Sequence, residues 1–316
     1  MAVTTAPATR RPPGPRGLPL LGVLPEIRRD SLGFLRRTHA AYGDVAGYRL
    51  GPMRSHLVAH PDGVRHVLQE HVRNYTKDHI SYKLVGWVVG DGLLTSKGDT
   101  WLRQRRLVQP AFHRQRIAAL ADLMVRRTEA MLASWEPAIA EGRPFDIGAA
   151  MMALTLGIAG EALFGADVGP QADAVGRSFN VLNEQVVTRF RTGNLVPPAL
   201  PTRYDRQWRE AMREMDRVVY EIIAERRRRP EDTGDLLSML MLARDEETGA
   251  QMDDRALRDE VITMLLAGHE TTATALTWAW GLLDAHPEAA ARLYAEVDAV
   301  LGGRAPTAAD VPALAY

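Results

Sequence analysis

The 316-residue chain contains no cysteine. This absence excludes disulfide bonds, cysteine zinc sites, a thiol nucleophile and any thiolate-bound metal formed by these residues alone. The chain also lacks an excess of charge of either sign, since 39 basic residues balance 39 acidic ones. Proteins that coat nucleic acids carry a large basic excess, so we expect no nucleic-acid partner.

The sequence also offers little evidence of a membrane-spanning apolar run or of a secretory signal. We expect no stretch to reach the length of about 20 apolar residues that spans a bilayer. Residues 1–16 combine Ala, Thr, Pro and Arg without an apolar core, which is not typical of a signal peptide. These features predict a cytoplasmic protein without a membrane anchor.

The chain divides into a disordered N-terminus, residues 1–10, and a single domain over residues 11–316. A proline-rich segment, residues 11–22, predicts an extended strap on a folded body, although an ordinary linker has a similar composition. The β-prone runs Asp44–Leu50 and Met53–Ala59 predict a hairpin around Gly51-Pro52. The pattern beyond this hairpin is helical, so the expected fold class is mainly α with a small β-sheet region, about two-thirds helix.

Four predicted helices are most informative. They cover about residues 96–110, 203–229, 253–285 and 287–302. Ser96-Lys97-Gly98-Asp99 is a plausible capping box for the first, and Asp253 or Asp254 is the candidate N-cap of the third. The third helix is apolar over much of its surface from Val261 to Leu283, which predicts that it crosses the protein interior.

The middle of this long helix contains residues that fit a helix interior poorly, Ala267-Gly268-His269-Glu270-Thr271-Thr272. Ala267, Glu270 and Thr271 are at positions i, i+3 and i+4 and therefore share one face. The small residues let a flat, bulky group approach the backbone, and the hydroxyl and the acid can hydrogen-bond to it or move protons. A buried polar kink with Glu270 reaching solvent is the alternative interpretation.

Two histidine patterns do not support a metal site. His269-Glu270 begins a His-Glu-x-x-His zinc helix, but Ala273 occupies the place of the second histidine. His56 and His60 lie on or beside a predicted strand without a nearby third ligand. We therefore expect no metal-ligating residue in this chain.

Four segments resemble, in the same order, motifs of the haem-thiolate monooxygenases, the cytochrome P450 family. They are the proline strap within residues 12–22, the loop Gly90-Asp91-Gly92-Leu93-Leu94-Thr95, the Trp101-Leu102-Arg103-Gln104-Arg105 helix, and the Ala267–Thr272 segment as the oxygen-activation motif. Each match is weak alone, but four in family order are specific. The resemblance implies the cytochrome P450 fold and a haem b cofactor.

The resemblance also implies roles for individual residues. Trp101 and Arg105 would donate hydrogen bonds to a haem propionate, although without the other motifs a core tryptophan and a surface arginine would be the simpler interpretation. Ala267 and Gly268 would line the oxygen pocket over the haem. Thr271 would hydrogen-bond bound dioxygen, and Glu270 would help to deliver protons.

The implied reaction inserts one oxygen atom from O2 into a small, mostly apolar organic substrate. Segments from about 74 to 89, including Val88 and Val89, and from about 178 to 204 would cover this substrate. Electrons would come from a redox partner such as a ferredoxin with its reductase or a flavoprotein reductase. Arg103 and Arg106, with Arg114 and Arg116 nearby, would offer such a partner a basic face, or simply a solvated one.

One departure from the family is decisive. The family's cysteine ligand and the Glu-x-x-Arg helix before it are both missing. We therefore expect residues 1–316 to be an N-terminal fragment, truncated before the haem-ligand loop and inactive alone. The alternative is a non-catalytic all-helical binding or scaffold protein, which explains the absent cysteine but not Gly268, Glu270 and Thr271 inside a buried helix.

Overall fold

The computed structural model describes residues 11–165, 169–192, 203–228, 234–245 and 247–316. The chain divides into two compact units, Met1–Lys77 and Asp78–Tyr316. Helices account for 71% of the structure, and the sheet has two strands, so the predicted fold class is confirmed. The single domain over residues 11–316 remains a prediction, and the disorder predicted for residues 1–10 lies outside the described residues.

The first unit is built around a β-hairpin. Its elements are α1 (Leu24–Arg29), α2 (Ser31–Tyr42), β1 (Val45–Leu50), β2 (Met53–Val58), α3 (Pro61–Arg65), a π-helical turn (His66–Glu70) and a 3-10 turn (Val72–Asn74). The strands are antiparallel, and Leu50 pairs with Met53 around the turn Gly51-Pro52. The hairpin prediction is therefore confirmed. Phe34 is buried against the edge of Tyr48, with ring centroids 5.3 Å apart.

The proline-rich segment lies along β1 as an extended strap, which confirms this prediction. The N–H of Gly47 donates to the carbonyl of Pro13 at 2.9 Å, and the N–H of Val23 donates to that of Arg49 at 2.8 Å. The strap approaches β1 so closely that a Cβ at Gly14 would lie 1.8 Å from the carbonyl oxygen of Gly47. Only glycine fits this position.

The second unit is helical. Its elements are α4 (Ile80–Val89), α5 (Gly98–Val108), α6 (Arg114–Ala119), α7 (Ala121–Ala140), α8 (Ile147–Phe164), α9 (Gly169–Thr192), α10 (Arg203–Arg228), α11 (Leu236–Leu242), α12 (Asp254–Ala285) and α13 (Pro287–Leu301), with 3-10 turns at Gln109–Phe112 and Val311–Ala313. At 1.5 Å per residue, the 32-residue α12 is about 48 Å long. It packs against α8, α10, α11, α4 and α13.

The ends of the helices follow the local signals in most places. Asp253 caps α12, since its Oδ1 accepts from the N–H of Ala256 at 2.8 Å. Pro287 begins α13, and left-handed Gly302 ends it. The capping box before α5 is wrong: the N-cap is Lys97, which forms no side-chain cap bond. Ser96 is fully buried in the preceding loop, and its N–H donates to the carbonyl of Gly92.

Two expectations about apolar helices need correction. Residues 257–265 of α12 are mostly buried, but the apolar side chains beyond Ala273 are not, and Trp278 is 67% exposed. The described elements cover this part of the helix only in part: a Cβ at Gly148 of α8 would lie 3.7 Å from the Thr277 side chain, but most residues beyond Ala273 are exposed. Helix α8 is long and apolar enough to span a membrane by length and composition, contrary to the expectation that no stretch would be. It packs against α12, α9 and α7, and its Glu161 pairs with Arg127.

Candidate functional site

The unusual segment of α12 presents three small or hydroxyl side chains on one open face. Ala267, Gly268 and Thr271 are exposed, and a Cβ added at Gly268 would meet no atom within 4 Å. The Thr271 hydroxyl donates to the carbonyl oxygen of Ala267, in the preceding turn, at 2.6 Å. The backbone at this point of the helix is thus accessible to a flat partner.

His269 faces the opposite way, into the protein. It is 1% exposed, and its ring lies edge-on to Phe179, with centroids 6.2 Å apart. Neither ring nitrogen has a hydrogen-bond partner within the part of the chain that the structure describes. Burial lowers the pKa of His269, and the nearby Glu270 carboxylate offsets this only in part. His269 is therefore a neutral core residue at pH 7.

Glu270 lies at the edge of the open face, half-buried against α9. Its Oε1 accepts a hydrogen bond of 2.8 Å from the Nδ2 of Asn183. One carboxylate oxygen is thus bonded to α9, which differs from a side chain that only reaches into solvent. The sequence contains no signal for Asn183, because a single asparagine in an amphipathic helix is most often a surface residue.

The loop before α5 is attached to α12 by two acidic side chains. The N–H of Asp91 donates to Oδ2 of Asp259 at 2.9 Å, and that of Leu93 donates to Oε2 of Glu260 at 3.1 Å. Asp259 is 4% exposed, and its other oxygen accepts from Arg258 at 2.9 Å. This arginine compensates the buried charge, so α12 can carry acids where hydrophobic residues would be expected.

Glycines allow the loop to lie directly on α12. Gly90 has a φ of +74°, and a Cβ there would be 2.1 Å from the Asp259 carboxylate. A Cβ at Gly92 would be 2.3 Å from the Thr263 hydroxyl. The loop then leads into α5, whose buried Gln104 donates to the carbonyl of Asp91 at 2.6 Å. These contacts fix where α5 begins relative to α12.

Helix α5 carries Trp101 and Arg105 one turn apart. The Arg105 guanidinium lies 5.3 Å from the centre of the Trp101 ring, a cation–π contact. Arg105 is exposed and Trp101 is half-buried. The two residues therefore lie side by side, as the sequence spacing predicts, with the guanidinium donors accessible.

Arg106, on the same helix, has a structural role. It bonds to Asp245 through Nη2 and to Glu247 through Nη1, each at 2.9 Å. The bond from Arg106 is the main reason why the pKa of Asp245 falls to about 2. The hypothesis of a basic docking face therefore loses Arg106, whose charge is neutralised within the chain, whereas Arg103 remains exposed.

The residues predicted to contact substrate are less clearly supported by the structure than those on α12. Val88 and Val89 are 3% and 0% exposed and pack in the core with Leu107 and Val108. Their role in substrate binding stays a prediction. A cavity of about 490 Å³ between α9 and α10 has a mixed lining that includes Arg177 and Glu214 as well as Val181 and Tyr204. Residues 193–202 of the predicted covering segment lie outside the described residues.

Comparison with known proteins identifies the family to which these motifs belong. The family model described as Cytochrome P450 matches residues 12–316. The chain is similar to a solved structure titled "Crystal structure of cytochrome P450DA heme domain", with a TM-score of 0.81 and 26% sequence identity. That match covers 95% of this chain and 66% of the other.

Three of the curated relatives come from the genus Streptomyces. Cyclooctatin synthase of Streptomyces melanosporofaciens is 40% identical over 100% of this chain and 69% of its own length. Cyclooctat-9-en-7-ol 5-monooxygenase of the same organism is 38% identical over 96% and 64%. Pentalenene oxygenase of Streptomyces avermitilis is 33% identical over 95% and 65%. The chain thus spans about two-thirds of the length of these relatives.

Proposed function

Since the chain belongs to the cytochrome P450 family, we propose that it supplies the oxygen-facing side of a haem-dependent monooxygenase. The reaction inserts one oxygen atom from O2 into a small, mostly apolar organic substrate. The observation that carries this proposal is the open face of Ala267, Gly268 and Thr271 beside a Glu270 that Asn183 holds. A purely structural helix has no need of this combination.

The residues present fit part of a haem site. The small side chains on α12 leave room for a flat macrocycle, and the exposed guanidinium of Arg105, beside the half-buried Trp101, offers N–H donors to a propionate. When bound, haem would supply the iron at which dioxygen is reduced and substrate is oxidised. The family's thiolate ligand is not among these 316 residues. We therefore propose that the 316 residues alone are inactive.

The chain's own residues would then manage protons and water. The Thr271 hydroxyl, now bonded to the Ala267 carbonyl, can rotate to donate toward the open face. Glu270 Oε2 can hold and release a proton while Oε1 stays bonded to Asn183. The fixed carboxylate and the nearby hydroxyl together form a short route for protons from the edge of α12 to its open face.

Substrate class and partners follow from the relatives and the family. Their names point to unsaturated hydrocarbons and alcohols, so terpenoid compounds are the first substrates to test. Cytochrome P450 enzymes generally use a redox partner, and we propose a ferredoxin or flavoprotein donor in the cytoplasm.

The test uses a protein in which these residues are joined to a segment that supplies the thiolate. Product formed per reduced nicotinamide consumed would be compared for the parent, Thr271→Ala and Thr272→Ala. Because Thr272 is the same residue type one position along the helix, it is the matched control. We expect Thr271→Ala to divert electrons to peroxide or water, Thr271→Ser to retain more coupling, and Thr272→Ala to resemble the parent. Equal coupling in Thr271→Ala and the parent would refute the assignment.

A further inference from the structure

A cluster of two histidines and a glutamate lies in the first unit, at the end of α3. His66, Glu70 and His71 are all exposed, and each offers a ligand atom within 4.8 Å of the others. We infer that this cluster binds a divalent transition-metal ion of the zinc type. The site belongs to the first unit and is independent of the residues assigned to the monooxygenase reaction.

The π-helical turn creates the cluster. The N–H of His71 donates to the carbonyl of His66, five residues earlier, at 2.9 Å. In an α-helix, residues five apart point about 140° away from each other. The wider π turn returns the fifth residue to nearly the same side. The two imidazole rings consequently lie with their centroids 4.2 Å apart.

Glu70 completes the set from the adjacent position. It lies four residues after His66, and its Oε2 is 3.9 Å from the His66 Nδ1. A tetrahedral zinc ion with bonds of about 2.0–2.2 Å places its ligand atoms about 3.3 Å apart. Small rotations of exposed side chains close the difference. Two imidazoles and one carboxylate, with water in the fourth position, suit zinc and also accept nickel or copper.

One neighbouring positive charge, that of Arg65, opposes the binding of a cation. The Arg65 Nε lies 3.5 Å from Glu70 Oε1, so the guanidinium competes with a metal for this carboxylate. Its shorter contact is with Asp62, at 2.7 Å between Nη2 and Oδ1. A metal ion can therefore take Glu70 while Arg65 keeps Asp62. Removal of the Arg65 charge should therefore increase the affinity for the metal ion.

The experiment is a calorimetric titration of the metal-free 316-residue chain with Zn²⁺ at pH 7.5, with Co²⁺ absorption as a second probe. We expect one equivalent to bind. Loss of an outer-shell partner costs about 10–100-fold in affinity, so loss of a direct ligand in His66→Ala or His71→Ala should cost at least tenfold. Arg65→Gln should increase the affinity. His56→Ala, an exposed histidine of the same unit on β2, should leave it unchanged.

Two results would overturn the inference. One is the absence of a stoichiometric Zn²⁺ site in the parent chain. The other is an equal loss of affinity in His71→Ala and His56→Ala, which would indicate scattered surface binding. Glu70→Gln keeps the size of the side chain and guards against a variant that fails to fold. It should weaken Zn²⁺ binding at unchanged far-UV circular dichroism, and unchanged affinity would count against the site.

Discussion

The Nδ2 of Asn183 lies 2.8 Å from Oε1 of Glu270, so a residue of α9 holds the acid of α12. A carboxylate that takes part in proton transfer must be both fixed and able to exchange its proton. The amide bond satisfies the first condition through one oxygen and leaves the second oxygen available. If Glu270 delivers protons as proposed, Asn183 is its positioning residue.

In the thiolate-containing protein, Asn183→Ala should lower product formed per reduced nicotinamide several-fold. The reason is that Glu270 loses the donor that orients it, while the open face of α12 is untouched. The exposed neighbour Glu184→Ala is the control and should have no effect. A double-mutant cycle with Glu270→Gln distinguishes positioning from packing. If the two effects simply add, Asn183 does not act through Glu270.

Haem retention should depend on Arg105 more than on Arg103. A hydrogen bond to a charged group in a partly dry site contributes about 1.5–3 kcal/mol, so Arg105→Ala should speed haem loss by about tenfold or more. Arg103→Ala removes the same charge from an exposed position of the same helix and leaves the Trp101–Arg105 contact in place. Transfer of haem to an excess of apomyoglobin measures both rates. Equal rates would make the propionate role of Arg105 untenable.

Stability should fall as the pH drops below about 6.5, in part because of His269. Burial lowers the pKa of His269 in the folded chain, whereas the unfolded chain binds a proton near the ordinary value of 6.5. Protonation of His269 therefore favours unfolding. Its neutral ring contributes to the free energy of unfolding in full above pH 6.5, and this contribution is lost as the pH falls toward the pKa of the folded chain. His269→Leu should lose less stability than the parent between pH 7.5 and 5.5.

Urea unfolding at several pH values measures this difference. The exposed His113→Gln is the control and should follow the parent. His269→Leu with the same pH dependence as the parent would show that His269 takes up no extra proton on unfolding.

The apolar side chains near the end of α12 should make the 316-residue chain associate with itself. Trp278 and Leu282, four residues apart on one face of the helix, are 67% and 55% exposed, and exposed apolar surface promotes contacts between molecules. Trp278→Glu combined with Leu282→Glu should lower the average mass in sedimentation velocity. Leu32→Glu changes an isolated residue that is 75% exposed and should not. A monomeric parent chain at micromolar concentration would contradict this prediction.

The sequence alone was enough for features with local causes. A cap, a proline and a glycine specify the ends of α12 and α13 through contacts within one turn, so Asp253, Pro287 and Gly302 could be interpreted directly. The hairpin turn at Gly51-Pro52 follows the same logic. The spacing of Ala267, Glu270 and Thr271 likewise predicted that they share one face, because helix geometry relates neighbours without reference to the rest of the fold.

Only the tertiary structure decided which distant residues complete the site. Asn183 and Glu270 are 87 residues apart, and Asp91 and Asp259 are 168 apart. No periodicity links such positions, because their contacts depend on how helices pack and not on the turn in which each residue lies. For the same reason, the sequence did not show that Arg106 forms an ion pair with Asp245 or that Ser96 lies buried in a loop. His66 and His71 are close in sequence, but only the π-helical turn brings their rings together, since an α-helix would have separated them.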